Sequence, residues 1–163
     1  MKQIDYLCDM KLKIYIDTSV IGGYFDVEFD EATQMFFEKV FETNTVLLVS
    51  NLLEFELIAA PQFIRDFFEH LPKDKIVKIE SSEEAQRLAK MYIDEKIVGK
   101  SSLLDCQHIA TATLNHADVL VSWNFKHIVN LMRIKGYNSI NLREGYQTLE
   151  IRTPKEIFKD ENE

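Results

Sequence analysis

The stretch KLKIYIDTSVIGGYF, Lys11 to Phe25, decides the fold. Its first half, Lys13 to Asp17, is a short run rich in β-branched and aromatic residues, the composition of a buried strand. The run ends on a carboxylate. Thr18, Ser19 and the pair Gly22–Gly23 follow, so the chain leaves the strand through a turn or a short helix. A charge at the end of a buried strand needs a reason, because an unpaired carboxylate in a core is costly. Asp17 either caps the turn with its side chain or belongs to a functional site, and its neighbours in sequence leave both open.

Outward from this strand, apolar runs of strand length alternate with segments of helical period. Residues 30–43 read as a helix, with Asp30 as N-cap and Met35, Phe36, Phe37, Val40 and Phe41 on a wide apolar face. TVLLVS (45–50) is a continuous aliphatic run, the signature of a strand covered on both sides. Residues 51–60 read as a helix stopped before Pro61, and residues 62–71 as another ended by Pro72. KIVKIE (75–80) is a short strand. Residues 81–97 form the clearest helix, with a serine cap, an acidic first turn and Ala85, Leu88, Ala89, Tyr92 and Ile93 in register. Residues 102–116 read as a helix that is apolar on most sides, and DVLVSW (118–123) as a strand. Residues 125–137 read as a helix with Gly136 just past its end, and NSINLR (138–143) as the last strand. This alternation predicts an α/β three-layer sandwich with a central, mostly parallel sheet. Residues 1–163 read as a single domain, with 1–11 and 152–163 peripheral.

Composition narrows the function. Of 163 residues, 46% are hydrophobic and 28% charged, which is ordinary globular composition. The net charge of −8 argues against a broad electrostatic grip on nucleic acid. It leaves room for a local basic rim, for which Arg65, Lys73, Lys75, Lys78, Lys100, Lys126, Arg133 and Lys135 are candidates, solvated faces being their default. It also leaves room for an acidic site that meets phosphates through a metal. No apolar run of about 18 residues suggests a membrane span. The beginning MKQIDYLCDMK lacks an apolar core and a cleavage signature, so a cytoplasmic protein is expected, with Met10 as an alternative start. Cys8 and Cys106 read as ordinary thiols.

Three acids keep odd company. Asp17 ends a strand, Glu56 lies beside Leu52, Phe55, Leu57 and Ala59, and Asp105 opens the most apolar helix. Each has a bland reading: a cap, a solvated side chain, a helix-dipole partner. Together they suggest a cluster. Two carboxylates ~5 Å apart at an effective dielectric of ~20 repel by about 3 kcal/mol. Clustered acids therefore need protonation, a basic partner or a cation, and lysine and arginine are not interleaved with them. A hard ion with oxygen ligands, Mg²⁺ or Mn²⁺, satisfies that need.

At this point the chain resembles the PIN-domain ribonucleases, specifically the VapC-type toxins of toxin–antitoxin pairs. The resemblance rests on four motifs in order: IYIDTSV, SNLLEFEL, DCQHIATA and ADVLVSWNF, spread over most of residues 13–142. It selects Glu56 over Glu54, and it implies that Asp17, Glu56 and Asp105 hold Mg²⁺ or Mn²⁺ for hydrolysis of RNA phosphodiesters. Many relatives carry an acid where this chain has Asn124; Asp118 is a candidate to supply that charge, though a loop-fixing role is favoured. Ser19 and Thr18 either hydrogen-bond phosphate or orient Asp17, or merely cap the turn. The resemblance further implies a homodimer and a cognate antitoxin, with residues 35–41 and 63–68 as candidate contact surfaces.

Other residues have plainer readings. His108, one turn after Asp105, is expected as an ordinary interior or surface histidine ahead of a site residue. His70, His116 and His127 lack ligand spacing, and Trp123 and Phe125 are expected in the core ahead of base stacking. The glycine pair does not make a phosphate loop, since no Gly-Lys-Ser/Thr follows. Two rival functions stand beside the nuclease. One is a PIN-like module that binds RNA or protein without cutting. The other is a phosphatase with Asp17 as nucleophile, which expects a second Asp where Ser19 stands.

Overall fold

The computed structural model describes residues 11–158. Five parallel strands form the central sheet: β1 (Leu12–Ile16), β2 (Thr45–Ser50), β3 (Ile76–Ile79), β4 (Val119–Val121) and β5 (Ile151–Arg152). Their order is β3-β2-β1-β4-β5. The chain thus works outward from β1 to one edge, then crosses to the other side of β1. That reversal lies between β1 and β4, where open α/β sheets form a crevice beyond the strand ends.

Seven α-helices accompany the sheet among the described residues: α1 (Thr18–Gly23), α2 (Asp30–Glu42), α3 (Asn51–Leu57), α4 (Gln62–Glu69), α5 (Glu83–Asp94), α6 (Leu103–Leu114) and α7 (Leu131–Arg143). They cover both faces and build two cores, because strand side chains alternate. Ile14, Ile16, Leu47, Val49, Val119 and Val121 pack with Val20, Phe36, Phe37 and Leu53 on one face. Tyr15, Leu48 and Leu120 point the other way, into Leu88, Tyr92, Ile109 and Tyr137. The three-layer α/β sandwich expected from the sequence is therefore present, with all five strands parallel.

The C-terminal third departs from the sequence reading. Residues 138–143 are not a strand: α7 runs through them from Leu131 to Arg143. Ile134, Tyr137 and Ile140 pack into one core, with Asn141 buried beside them. That is a helical spacing, which the local alternation of NSINLR conceals. Asn130 caps the helix by accepting from Arg133 N at 3.2 Å. Gly136 lies mid-helix, where an added Cβ would stand 2.7 Å from Ile97 Cδ1, so close packing rather than a terminus explains it. The last strand is the two-residue β5, in register with Leu120 and Val121.

Smaller differences have local causes. The N-cap position of α2 is Phe29, and Asp30 is its first helical residue. Ser82 is the serine cap of α5, accepting from Ala85 N at 3.1 Å. Gly22 and Gly23 lie inside α1, and Gly23 lets the Trp123 ring approach: a Cβ there would sit 2.7 Å from it. Burial pushes the Cys106 thiol up to about 12, so it stays protonated and inert. Cys8 and Met10 lie outside the described residues.

Candidate functional site

Asp17 follows the last residue of β1 and is 5% exposed. It occupies the N-cap position of α1, yet its side chain makes no capping bond. The capping reading therefore fails. Instead Oδ1 accepts from Ser19 Oγ at 2.5 Å and Oδ2 from Ser122 Oγ at 2.6 Å. Ser122 is the residue just past β4, so Asp17 and its brace stand at the reversal of strand order. Both serines are fixed in turn: Ser19 Oγ accepts from Trp123 N and Ser122 Oγ from Asn124 N, each at 2.9 Å.

Glu56 reaches the same end of the sheet from α3, which leaves β2 at Ser50. Its Oε1 accepts from Thr18 Oγ1 at 2.9 Å and engages His108 Nε2 at 2.6 Å. His108 lies one turn beyond Asp105 on α6 and is 2% exposed; its Nδ1 meets the Tyr15 hydroxyl at 2.6 Å. That hydroxyl also meets Ser50 Oγ at 2.8 Å. Ser50 stands in the N-cap position of α3 without capping it, because its hydroxyl is engaged here.

Electrostatics join the three acids. Burial drives the Asp17 carboxyl above the ordinary carboxylate range and Glu56 adds to the shift, while His108, Ser122 and Ser19 oppose it. Burial likewise raises Asp105, against the influence of His127, His108 and the Asn124 side chain, with Glu56 again adding to it. Burial also acts to raise Glu56, but His108 and Thr18 outweigh it and hold that carboxyl below its usual range. His108 thus acts on all three acids. Among the described residues neither Asp17 nor Asp105 pairs with a lysine or arginine.

Oxygen-only acids without a basic partner have the donor chemistry of a hard divalent cation. As placed, however, no three His, Cys, Asp or Glu side chains among the described residues stand close enough together to clasp one ion. The fit is therefore one of donor type and of shared location.

The remaining candidates separate cleanly. Asp118 is not brought to the site: it precedes β4, at the opposite end of the sheet, where Oδ2 accepts from Lys13 N at 2.7 Å. That is the loop-fixing role. Asn124 supports Asp105 and accepts from His127 N at 3.0 Å. Thr18 braces Glu56 and Ser19 braces Asp17. Trp123 stacks on Phe29 (4.4 Å between centroids) and donates to Thr33 Oγ1 at 3.0 Å, a packing role, whereas Phe125 is exposed. In the candidate contact segments, Phe36, Phe37 and Val40 are core, while Met35, Phe41 and Phe63 face solvent.

Sequence reasoning did not single out Tyr15, Ser50 or Ser122; it gave His108 an interior place, which it has, ahead of a role beside the acids, where it also stands. Only the spacing of His108 from Asp105 signalled a role. Ser122 supplies a prediction. Ser122→Ala leaves a buried Asp17 oxygen and Asn124 N short of a partner, which destabilises the fold by about 1–3 kcal/mol. Urea unfolding of the two proteins measures it.

Comparison with known proteins matches this arrangement to a family. The sequence profile of the PIN domain matches residues 14–126, which include most of β1, all of β2, β3 and β4, and all three acids. Two solved structures share the fold. VapBC2 from Rickettsia felis, bound to a DNA fragment from their promoter, superposes with a TM-score of 0.55 at 15% identity, covering 87% of this chain and 98% of that one. FitAcB from Neisseria gonorrhoeae superposes with a TM-score of 0.53 at 12% identity, covering 88% and 99%. No curated protein matches the sequence. With a family profile spanning more than half of its length and both neighbours sharing its fold, the chain belongs to the PIN domain family.

Proposed function

We propose that the protein is an endoribonuclease that hydrolyses RNA phosphodiesters with Mg²⁺ or Mn²⁺ held by Asp17, Glu56 and Asp105. The observation that carries this reading is Asp17: a buried carboxylate, held ready by two serine hydroxyls, with no lysine or arginine to neutralise it. A divalent ion, when bound, contributes positive charge against phosphate oxygens and acidifies water. The chain's own residues do the positioning. Ser19 and Ser122 fix both oxygens of Asp17, Thr18 and His108 fix one oxygen of Glu56, and the Asn124 amide supports Asp105. Asn124 is neutral, so it braces an acid without adding another negative charge to the crevice. The net charge of −8 suits an enzyme that grips a few phosphates locally.

The family and the two structural neighbours further support a role as the toxin of a toxin–antitoxin pair with a cognate antitoxin; a homodimer acting in the cytoplasm completes the proposal. Exposed Phe55 and Ile58, on and just after the helix that carries Glu56, suit such partners. Among the described residues no helix is long and apolar enough to cross a membrane.

One observation favours a second reading. The acids do not converge as placed, and the sequence resemblance would put an acid where Asn124 stands. Both suit a module that binds RNA or protein without cutting. The purified protein separates the two: cleavage of RNA that needs Mg²⁺ or Mn²⁺ and stops with EDTA is expected. Bound but intact RNA would favour the module.

A further inference from the structure

We propose that Phe125 and Lys126 form a one-nucleotide subsite for single-stranded RNA beside Asp105, the ring stacking on a base and the ammonium pairing with a neighbouring phosphate. The inference deepens the nuclease reading and rests on it, since it names what the crevice holds next to the acids.

The subsite lies on the turn that follows β4. Ser122, which braces Asp17, opens that turn, and Asn124 N donates to its hydroxyl at 2.9 Å. Trp123 N is tied to Ser19 Oγ, also at 2.9 Å. Asn124 Oδ1 then accepts from His127 N at 3.0 Å, and Asn124 O accepts from Ile128 N at 3.1 Å and Val129 N at 2.8 Å. Ile128 is wholly buried and anchors the far end. Asn124 and His127 both act on the Asp105 carboxyl, so the turn between them passes beside that acid. The two residues between them, Phe125 and Lys126, are the exposed ones. A backbone tied at both ends presents them in one place, which lowers the entropy cost of gripping a ligand.

A single exposed phenylalanine is ordinary. This one is backed by other rings. Phe125 is 51% exposed, yet its centroid stands 6.1 Å from that of Trp123 and 6.3 Å from that of Phe29, and those two rings stack at 4.4 Å. Trp123 is held in turn by its bond to Thr33 and its close approach to Gly23. The rings thus form a fixed pile whose outer member is bare. Lys126 makes no ion pair among the described residues. An exposed ring next to an unpaired cation is the combination that holds a single-stranded nucleotide whatever its base. Beyond Phe29 and Trp123 lies a cavity of about 790 Å³ that carries Glu28, Glu31 and Glu156 against a single Lys155. That charge repels phosphate and keeps the strand on the Phe125 side.

Binding of a pool of single-stranded RNAs, about 12 nucleotides long, to the full chain in EDTA tests this without cleavage. Trp123, the only tryptophan of the chain, reports from beside Phe125, and its fluorescence is expected to fall as RNA binds. Phe125→Leu is expected to weaken binding about 5- to 150-fold, and Phe125→Tyr, which keeps a stacking ring, to stay within about twofold of the wild type. Lys126→Ala is expected to lower the slope of log Kd against log salt by about 0.7. Neither residue is buried, so the Tm of each variant is expected to stay where it is. Phe125→Leu that binds like the wild type overturns the proposal. So does an equal loss in Phe125→Leu and Phe125→Tyr, an unchanged salt slope in Lys126→Ala, or binding that leaves the Trp123 fluorescence unmoved. RNA that is cut, yet bound alike by the wild type and Phe125→Leu, refutes the subsite alone. RNA that is bound through Phe125 but stays intact with Mg²⁺ or Mn²⁺ refutes the nuclease reading alone. A wild type that binds none of the pool overturns both.

Discussion

Asp17→Asn lowers the rate of RNA cleavage by about 10²–10³-fold while leaving the protein folded. That loss corresponds to about 2.7–4 kcal/mol of transition-state stabilisation. Asparagine keeps the shape, and one hydroxyl of the Ser19–Ser122 pair still finds an acceptor, but the charge that would hold a cation is gone. The stability change has the opposite sign. Burial raises the folded-state value of Asp17 above its ordinary 3.8, so the native protein binds the proton more tightly than the unfolded chain. The stability Asp17 contributes is fully present below pH 3.8 and is lost as pH rises through the folded value. At neutral pH the bare carboxylate therefore costs stability, and Asp17→Asn raises Tm there without raising it near pH 3. Glu56 acts on the other side of this window: held below its ordinary 4.5, it contributes stability that is lost only as pH falls through its folded value. Scanning calorimetry from pH 3 to pH 8 reads both slopes. Mg²⁺ or Mn²⁺ is expected to raise the wild-type Tm, by about 2.7 kcal/mol of stability at a hundredfold excess over Kd, and to leave Asp17→Asn unmoved. An inactive variant no more stable than the wild type at pH 7 would mean that the buried charge is balanced by something other than a cation.

Phe37→Ala destabilises the fold by about 3–5 kcal/mol. Phe37 is 1% exposed and its ring meets Tyr24 (6.0 Å), Phe36 (5.4 Å), Phe41 (6.0 Å) and Phe67 (5.3 Å). It joins α2 to α4 and to Tyr24, the residue that ends α1. Truncation opens a cavity among side chains held from several directions, which cannot collapse to fill it. For a chain of this size the Tm falls on the order of 10 °C. Urea unfolding is expected to show a lower midpoint with an unchanged m-value, since the surface exposed on unfolding barely changes. A cost near that of exposed Phe55→Ala would mean that these rings are loosely packed.

The outcome for individual elements shows which information is local. The strands at 13–17, 45–50 and 118–123 were legible because a strand covered on both faces must be apolar throughout, whatever its neighbours. The helix of residues 81–97 was legible because its solvated face marks the period. Residues 138–143 were misread for the converse reason. Ile140 and Leu142 alternate with polar Ser139, Asn141 and Arg143, and a few residues cannot separate the two periods; contact with α5 settles it. The strand β5 is only two residues long, held by pairing with β4, and no local pattern marks it.

The amino-acid sequence by itself determined the alternation of strands and helices, the parallel sheet that follows from it, and the position of Asp17 at a strand end, because burial and period act residue by residue along the chain. It also singled out Glu56 and Asp105 as acids in apolar company. Tertiary structure alone decided what touches them. Ser122 reaches Asp17 across 105 residues of chain, and His108 reaches Glu56 across 52. Asp118 was open to a site role, with a loop-fixing one favoured, and it lies at the far end of its strand. Hydrogen bonds are set by distances of a few ångströms in space, and a sequence pattern carries no such distance between elements that meet only when the sheet closes.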